Sequence, residues 1–208
     1  ENSKGYPVLR LNEFRSHFIG KPAKYCDLID AQTYEELKLY KDDVLICRTN
    51  GNPKFVGKAA IVPKDYNFAY ASYLFKIRPY KNMINSATLV AYLNSRIGRS
   101  EIERYSMVGN QANFSPAKFR EINVPRLSKN INECIEFITY QAFSILNVAD
   151  KFYFEADSLL LSEIGLDGFV PSGENINTKA YSESFVSSGR LDSEYYLPKY
   201  DDYLRLVN

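Results

Sequence analysis

The basic and amide side chains of residues 48–58 carry the clearest binding chemistry in the sequence. They lie in a stretch, 44–64, that contains no Asp or Glu. Arginine and asparagine can each make two hydrogen bonds to the edge of a guanine or adenine, and lysine suits a phosphate group. The candidate residues are Arg48, Thr49, Asn50, Asn52, Lys54 and Lys58.

A second group of polar side chains surrounds a predicted helix end further along the chain. Its members are Arg96, Arg99, Arg104, Gln111 and Asn113. These residue types suit the same contacts with base edges and phosphate oxygens, so both groups are candidates for binding double-stranded DNA. A polar, solvated loop is the competing interpretation for each group, because a few basic residues are not a specific signal.

The charge of the chain changes sign near Pro125. Residues 1–120 contain 19 Lys and Arg against 11 Asp and Glu, a net charge of +8. Residues 121–208 contain 7 against 14, a net charge of −7, which leaves only +1 for the whole chain. This layout suits a basic module that meets a polyanion, joined to an acidic segment that meets protein.

The sequence contains no recognisable motif for catalysis, cofactor binding or metal binding. The single His17 and the scattered Cys26, Cys47 and Cys134 lack zinc-site spacing, and we expect the cysteines to be buried thiols in a reducing compartment. The Asp42-Asp43 pair is predicted to be a solvated turn. We therefore expect no bound cofactor, no metal and no catalysis by this chain alone. The lack of a membrane-spanning apolar run and of a signal peptide predicts a cytoplasmic protein without membrane contact.

Mixed helix and strand patterns before Pro125 predict an α+β domain that positions the polar side chains. The predicted strands are Tyr6–Leu11, Val44–Arg48, Phe55–Val62, Tyr70–Ile77 and Ile122–Val124. The predicted helices are Tyr34–Leu39 after a Thr33 cap, Ala87–Ile97 with Gly98 as its stop, and a short helix from Ser115-Pro116 to about Glu121. Thr49–Pro53 is predicted to be a loop, and Tyr181–Val186 a strand after a linker.

A single long helix is predicted for residues 128–165, ending at Gly165. Apolar or small residues recur there in alternating steps of three and four, which is typical of a coiled-coil seam. The seam consists of Ile135, Ile138, Ala142, Ile145, Ala149, Phe152, Ala156 and Leu159. No second heptad helix occurs in the sequence, so the predicted partner is another copy of the chain or a second spacer helix outside it. The alternative is an amphipathic helix that packs on its own domain.

Several stretches, taken in order, resemble the specificity subunit of type I restriction-modification systems. They are GYPVLRLNEF (5–14), KDDVLICRTNGNPKFVGKAAIV (41–62), GNQANFSPAKFREINVPRL (109–127), EADSLLLSEIGLDGF (155–169) and GRLDSEYYLPKYDDYL (189–204). The first three resemble a target recognition domain, the fourth resembles the end of a conserved spacer helix, and the fifth resembles the start of another recognition domain. Each stretch is loose by itself, and their order carries the resemblance.

This resemblance implies three parts: a DNA-binding target recognition domain at 1–127, a spacer helix at 128–165, and a linker with the start of the next recognition domain at 166–208. It implies a non-catalytic, prokaryotic protein that directs methyltransferase and restriction subunits to a bipartite DNA site. S-adenosylmethionine is expected on the partner methyltransferase. Two alternatives remain open: the recognition region of a fused methyltransferase–nuclease, and an assembly scaffold that does not bind DNA.

Overall fold

The computed structural model describes residues 4–80, 82–107 and 112–207. Its fold class is α+β, with mixed sheets and one long helix, as the sequence predicts. The chain divides into two compact units, Glu1–Val148 and Ala149–Asn208, and the boundary falls inside the long helix. The predicted domain limits at residues 127 and 165 stay a prediction.

Ten short strands and four helices precede the long helix in the described part of the chain. The strands are β1 Tyr6–Leu9, β2 Phe14–Arg15, β3 Phe18–Ile19, β4 Lys24–Cys26, β5 Val44–Cys47, β6 Thr49–Asn50, β7 Ala59–Ile61, β8 Ala69–Tyr70, β9 Leu74–Ile77 and β10 Ala112–Asn113. The helices are α1 Ala31–Leu37, α2 Ser86–Asn94, α3 Arg96–Tyr105 and α4 Pro116–Phe119. After them come α5 Lys129–Glu163, α6 Phe185–Ser188 and α7 Pro198–Val207.

The strands form three sheets. The largest has the order β2-β3-β7-β5-β9 and is antiparallel except where β3 lies parallel to β7. A second sheet has the order β4-β1-β8, with β1 and β8 parallel, and a third consists of β10 and β6 alone. Strand β5 is internal to the largest sheet, since β7 and β9 flank it.

Strand β5 is buried on both faces, which explains its uninterrupted apolar sequence. Val44 and Ile46 belong to one hydrophobic cluster, which also contains side chains from α2 and α3. Leu45 and Cys47 belong to the other cluster, which lies with the first strands of the chain. Successive side chains of a strand point to opposite faces, so four residues contribute to both cores.

The part of α5 that belongs to the first unit packs on the hydrophobic cluster of that unit. Ile135, Phe143 and Leu146 contact the cluster that contains Val44, and the Phe143 ring centroid lies 5.0 Å from that of Phe18. This part of the helix therefore behaves as an amphipathic helix folded on its own domain.

The turn before β5 binds α5 through Tyr140. The Tyr140 hydroxyl donates to Asp42 Oδ1 at 2.7 Å, and Lys41 Nζ lies 5.4 Å from the centre of the Tyr140 ring. Asp42 adopts a positive φ of 70°. Burial raises the pKa of Tyr140 most, and the hydrogen bond to Asp42 raises it further. The Tyr140 hydroxyl therefore stays protonated and can donate this hydrogen bond.

The predicted solvated Asp42-Asp43 turn is wrong at Asp43, which has no exposed surface. Arg78 Nε donates to Asp43 Oδ1 at 2.7 Å, and the Tyr40 backbone N–H donates to Oδ2 at 2.9 Å. A buried carboxylate needs such partners, because its desolvation is otherwise very costly. The partner Arg78 lies 35 residues away, so nothing local in the sequence indicates the pair.

The predicted stop at Gly98 is also wrong. Helix α2 ends at Asn94, and α3 begins at Arg96 with Ser95 as its N-cap, so Gly98 lies in the first turn of a new helix. A Cβ at Gly98 would lie 2.0 Å from the Tyr92 carbonyl oxygen. Glycine is thus required here for the close approach of two helices rather than for a stop.

Several further elements differ from their predictions. The predicted strand Tyr70–Ile77 is divided into β8 and β9, which belong to different sheets. Helix α1 begins at Ala31 with Asp30 as its N-cap, because the Asp30 carboxylate accepts both the N–H and the hydroxyl of Thr33. Residues 122–124 form no strand. Residues 181–184 form a turn, and residues 185 and 186 begin α6, so the predicted strand Tyr181–Val186 is wrong. By contrast, the Ser115 cap is confirmed, since its hydroxyl accepts the N–H of Lys118.

The second unit contains the end of α5, then α6 and α7. The helix stop at Gly165 is confirmed as a Schellman motif: the Leu166 N–H donates to Leu161 O at 2.8 Å and the Gly165 N–H to Ser162 O at 3.0 Å. Lys179 Nζ forms an ion pair with Asp201 Oδ1 at 2.7 Å. None of the described side chains from 149 to 206 is buried. The unit therefore lacks a hydrophobic core among its described residues.

We predict that Tyr140→Phe lowers the free energy of unfolding by about 1–3 kcal/mol, the range for losing a hydrogen bond to a charged group. Chemical denaturation followed by circular dichroism measures this loss. Tyr153→Phe is the matched control, because Tyr153 lies on the same helix with its side chain 74% exposed. Equal stability of the two variants would contradict an anchoring role for Tyr140.

Candidate nucleic-acid interface

The two polar groups found in the sequence meet through a short pair of strands. Strand β6 pairs antiparallel with β10, so Asn113 lies opposite Thr49 and Ala112 opposite Asn50. Asn113 Nδ2 also donates to the Thr49 hydroxyl at 3.2 Å. Residues more than sixty positions apart thus form one surface, and Thr49 and Asn50 lie in a strand rather than in the predicted loop.

Arg48 combines a fixed backbone with an exposed side chain. Its N–H donates to Tyr73 O and its carbonyl accepts the Phe114 N–H, both at 2.8 Å. Among the described residues, no hydrogen bond or ion pair engages its guanidinium group, and its side chain is exposed. Arg48 can therefore present five N–H donors to a base edge or a phosphate. Because its backbone is already fixed, binding would cost little backbone conformational entropy.

The loop from Gly51 to Lys58 is shaped by asparagine side chains. Asn50 Oδ1 accepts the Asn52 N–H at 2.8 Å, and Asn52 Oδ1 accepts the Lys54 N–H at 3.0 Å. Asn52 thereby caps a 3-10 turn, Pro53–Phe55. The amide oxygens of Asn50 and Asn52 each accept a hydrogen bond inside the loop. The NH₂ group at the other end of each amide is the donor that the residue can offer a ligand.

The end of the loop is fixed against β5 and α3. The Gly57 N–H donates to Cys47 O at 2.7 Å, and the Cys47 N–H donates to Lys58 O at 2.9 Å. Gly57 has a φ of +75°, and a Cβ there would lie 2.4 Å from Ile102 Cγ2. Glycine is thus the residue that lets the loop approach α3 this closely. Burial raises the pKa of the Cys47 thiol to about 11, so Cys47 is an inert part of this support.

Helix α3 carries the three candidate arginines in different environments. Arg96 is exposed, and Arg104 is exposed with Glu101 at 3.8 Å and the Tyr105 ring at 5.4 Å. Arg99 is half-buried, and its Nη2 donates to the Lys54 carbonyl at 3.1 Å. Gln111 lies outside the described residues. Of the three, only Arg99 makes a hydrogen bond to the described residues of the 51–58 loop.

Phe55 is a candidate contact residue that the sequence analysis missed. It was predicted to lie inside a strand, whereas it ends the 3-10 turn with its ring 43% exposed. Lys58 Nζ lies 5.8 Å from the ring centre. An exposed aromatic ring beside basic side chains can stack on a base or contact a thymine methyl group. The Asn-Pro step ahead of it was the sequence signal for a turn.

Neither a protein-family model nor a curated protein matches the chain in sequence. The solved structures that are similar to it include the following two. The chain is similar to an HsdS subunit. The first structure is the crystal structure of the HsdS subunit from Thermoanaerobacter tengcongensis. It shares 15% sequence identity with this chain, with a TM-score of 0.45. The match covers 84% of this chain and 46% of that chain. The second structure was determined to explain complex assembly and conformational transition of the type I R-M system. It shares 12% sequence identity with this chain, with a TM-score of 0.38, and the match covers 86% of this chain and 46% of that chain. The chain spans about half the length of each.

The predicted seam residues of α5 fall into two groups in the first unit. Ile135 packs on the hydrophobic cluster of that unit, whereas Ile138 and Ile145 are 60% and 67% exposed. In the second unit Phe152 and Leu159 are likewise exposed. The alanines at 142 and 156 are exposed and Ala149 is half-buried. The exposed apolar residues are available for a partner helix, and the pairing stays a prediction.

The described residues contain no group of three or more His, Cys, Asp or Glu side chains that could hold a metal ion. Within residues 4–80, 82–107 and 112–207, no helix has the length and apolar content that a membrane span requires. Among the candidate residues, Thr49, Asn50 and Asn113 lie together in the β6–β10 pair, and Arg99 contacts the loop that follows β6.

We predict that Gly57→Ala lowers the free energy of unfolding by about 2–4 kcal/mol, because alanine is strained at positive φ and its Cβ overlaps Ile102. Urea denaturation measures the loss. Gly51→Ala is the matched control in the same loop, since a Cβ there meets no atom within 4 Å and the backbone is unstrained. A Gly57 variant as stable as the Gly51 variant would show that the loop does not need this close approach to α3.

Proposed function

We propose that this chain recognises one half of a bipartite DNA sequence and directs the subunits of a type I restriction-modification system to it. The observation that carries the proposal is the pairing of β6 with β10, which places Asn113 of the second polar group beside Thr49 and Asn50 of the first. The sequence resemblance to a specificity subunit supports the same role, which belongs to the prokaryotic cytoplasm.

The side chains of the surface suit two different kinds of contact with DNA, one to base edges and one to phosphates. Arg48, with its free guanidinium group, is the best candidate for a base contact, because bidentate arginine–guanine pairs are the commonest specific contact. Lys54, Lys58 and Arg96 suit phosphate contacts that orient the protein. The net charge of +8 in residues 1–120 adds a long-range attraction for DNA.

The long helix supports the second part of the proposal. At about 1.5 Å per residue, the 35 residues of α5 span roughly 50 Å, enough to set a distance between two recognition domains. In this role α5 pairs with a second spacer helix or another copy of the chain through its exposed apolar residues. Its outer surface docks methyltransferase subunits, which carry the S-adenosylmethionine, and the restriction subunit joins that assembly. The chain itself contributes no catalytic group.

An assembly scaffold without DNA binding is the second candidate function, and the many exposed apolar side chains of α5 favour it. Salt dependence separates the two functions. Three phosphate contacts would weaken binding to duplex DNA about 40-fold between 50 and 200 mM salt. A scaffold would show no salt-dependent affinity for DNA.

We predict that Arg48→Ala, introduced into the gene that encodes this protein, relaxes recognition at one base position of one half-site. A genome-wide map of N6-methyladenine measures this change, because each methylated motif reports the sequence that the complex accepts. Loss of a bidentate contact costs about 1–3 kcal/mol of discrimination at that position. The other half-site and the spacing between halves should persist.

Two variants control for charge and for general damage in this experiment. Arg48→Lys keeps the charge but loses the planar fork, so it should relax the motif as Arg48→Ala does. Arg126→Ala removes an exposed arginine outside the candidate interface and should leave the motif intact. An unchanged motif in the Arg48→Ala strain would refute the assignment of this residue.

We also predict that Ala149→Glu weakens self-association or helix pairing, because it places a charge in a close-packed seam. Analytical ultracentrifugation of the wild type and the variant measures the oligomeric state. Asn147→Glu is the control, since Asn147 is exposed and lies off the seam on the same helix. If the oligomeric state survives Ala149→Glu, the seam is not the interface.

A further inference from the structure

The tip of the 51–58 loop has little support besides its own turns. Within residues 51–56, the hydrogen bonds of Asn52, Lys54, Phe55 and Val56 link the loop to itself or to Asn50. In the described part of the chain, the hydrogen bond from Arg99 to the Lys54 carbonyl is the only recorded one that joins this tip to another secondary-structure element. The position of the tip therefore depends on Arg99 and on the burial of Val56.

The guanidinium group of Arg99 is placed to support the loop rather than to meet a ligand. Its Nη1 is sealed from solvent and has no hydrogen-bond partner among the described residues. A phosphate oxygen cannot reach that nitrogen in this conformation. Burial also lowers the pKa of Arg99 from its usual value. Arg96, by contrast, has an exposed side chain.

Helix α3 is itself held tightly enough to act as a support. Ser95 caps its start, and Gly98 allows its first turn to approach the Tyr92 carbonyl. One turn after Arg99, Ile102 is 1% exposed and packs beneath Gly57. Arg99 and Ile102 thus contact the same loop at two points, Lys54 and Gly57, from one helix.

We propose that Arg99 is a positioning residue, which binds the Lys54 carbonyl and so fixes the Pro53–Phe55 turn in the conformation that meets DNA. This inference rests on the proposed DNA-recognition function. It assigns Arg99 a different role from its helix neighbour Arg96, which remains a candidate for a direct phosphate contact. A positioning residue affects sequence discrimination, whereas a phosphate contact affects overall affinity and its salt dependence.

Limited proteolysis tests the support of the loop without DNA. Trypsin cleaves after lysine, so the rate of cleavage between Lys54 and Phe55, followed by mass spectrometry, reports how well the turn is held. Arg99→Gln should raise this rate at least tenfold, whereas Arg96→Gln, with the same loss of charge, should leave it unchanged. Arg99→Lys, which keeps a donor for the Lys54 carbonyl, should be cleaved at an intermediate rate and also guards against a general folding defect. Equal cleavage of Arg99→Gln and wild type would overturn the proposal.

Binding to DNA then separates the two roles. The probes are a duplex enriched from a random library by the wild-type protein and a shuffled duplex of the same composition. Arg99→Gln should reduce the preference for the enriched duplex about tenfold or more, with an unchanged salt slope. Arg96→Gln should keep the preference and lower the magnitude of the slope by about 0.9.

The outcomes distinguish this inference from the function on which it rests. If Arg99→Gln behaves as Arg96→Gln does, Arg99 is a phosphate contact and the positioning role is wrong. If the wild-type protein enriches no duplex and shows no salt-dependent binding, the proposed function fails, and the DNA role of Arg99 with it. The proteolysis result would still report whether Arg99 holds the loop.

Discussion

The burial of β5 on both faces is the constraint on which the rest of the first unit depends. Its four residues lie between β7 and β9 and contribute to both hydrophobic clusters. The residues immediately before it, Asp42 and Asp43, bind Tyr140 of the long helix and Arg78. The residue immediately after it is Arg48. A strand about 13 Å long thus connects the anchor of α5 to the candidate interface.

The sequence predicted the elements that depend on local patterns. The apolar run of β5, the Ser115 cap and the Gly165 stop each follow from a few adjacent residues, and the structure contains all three. Helix α3 was missed because Gly98 has the local signature of a stop. Its actual reason is a contact with the Tyr92 carbonyl, which depends on how two helices pack.

The candidate site was predictable in its residue types but not in its arrangement. Two groups of basic and amide residues were evident, and neither sequence pattern indicated that β6 and β10 pair. Their roles also differ in ways that composition cannot show. Arg48 leaves its guanidinium group free, whereas Arg99 uses its own to bind a backbone carbonyl, and that difference depends on burial and on partners distant in the chain.

The hydrogen bonds that fix Arg48 and the carbonyl of Lys54 all act on the main chain. The fold therefore constrains the path of the backbone at these positions and leaves the identity of their side chains open. A substitution at residue 48 or 54 can change the chemistry offered to a ligand while the frame stays intact. Such a frame allows new binding preferences to evolve by single exchanges, without a compensating change in the core.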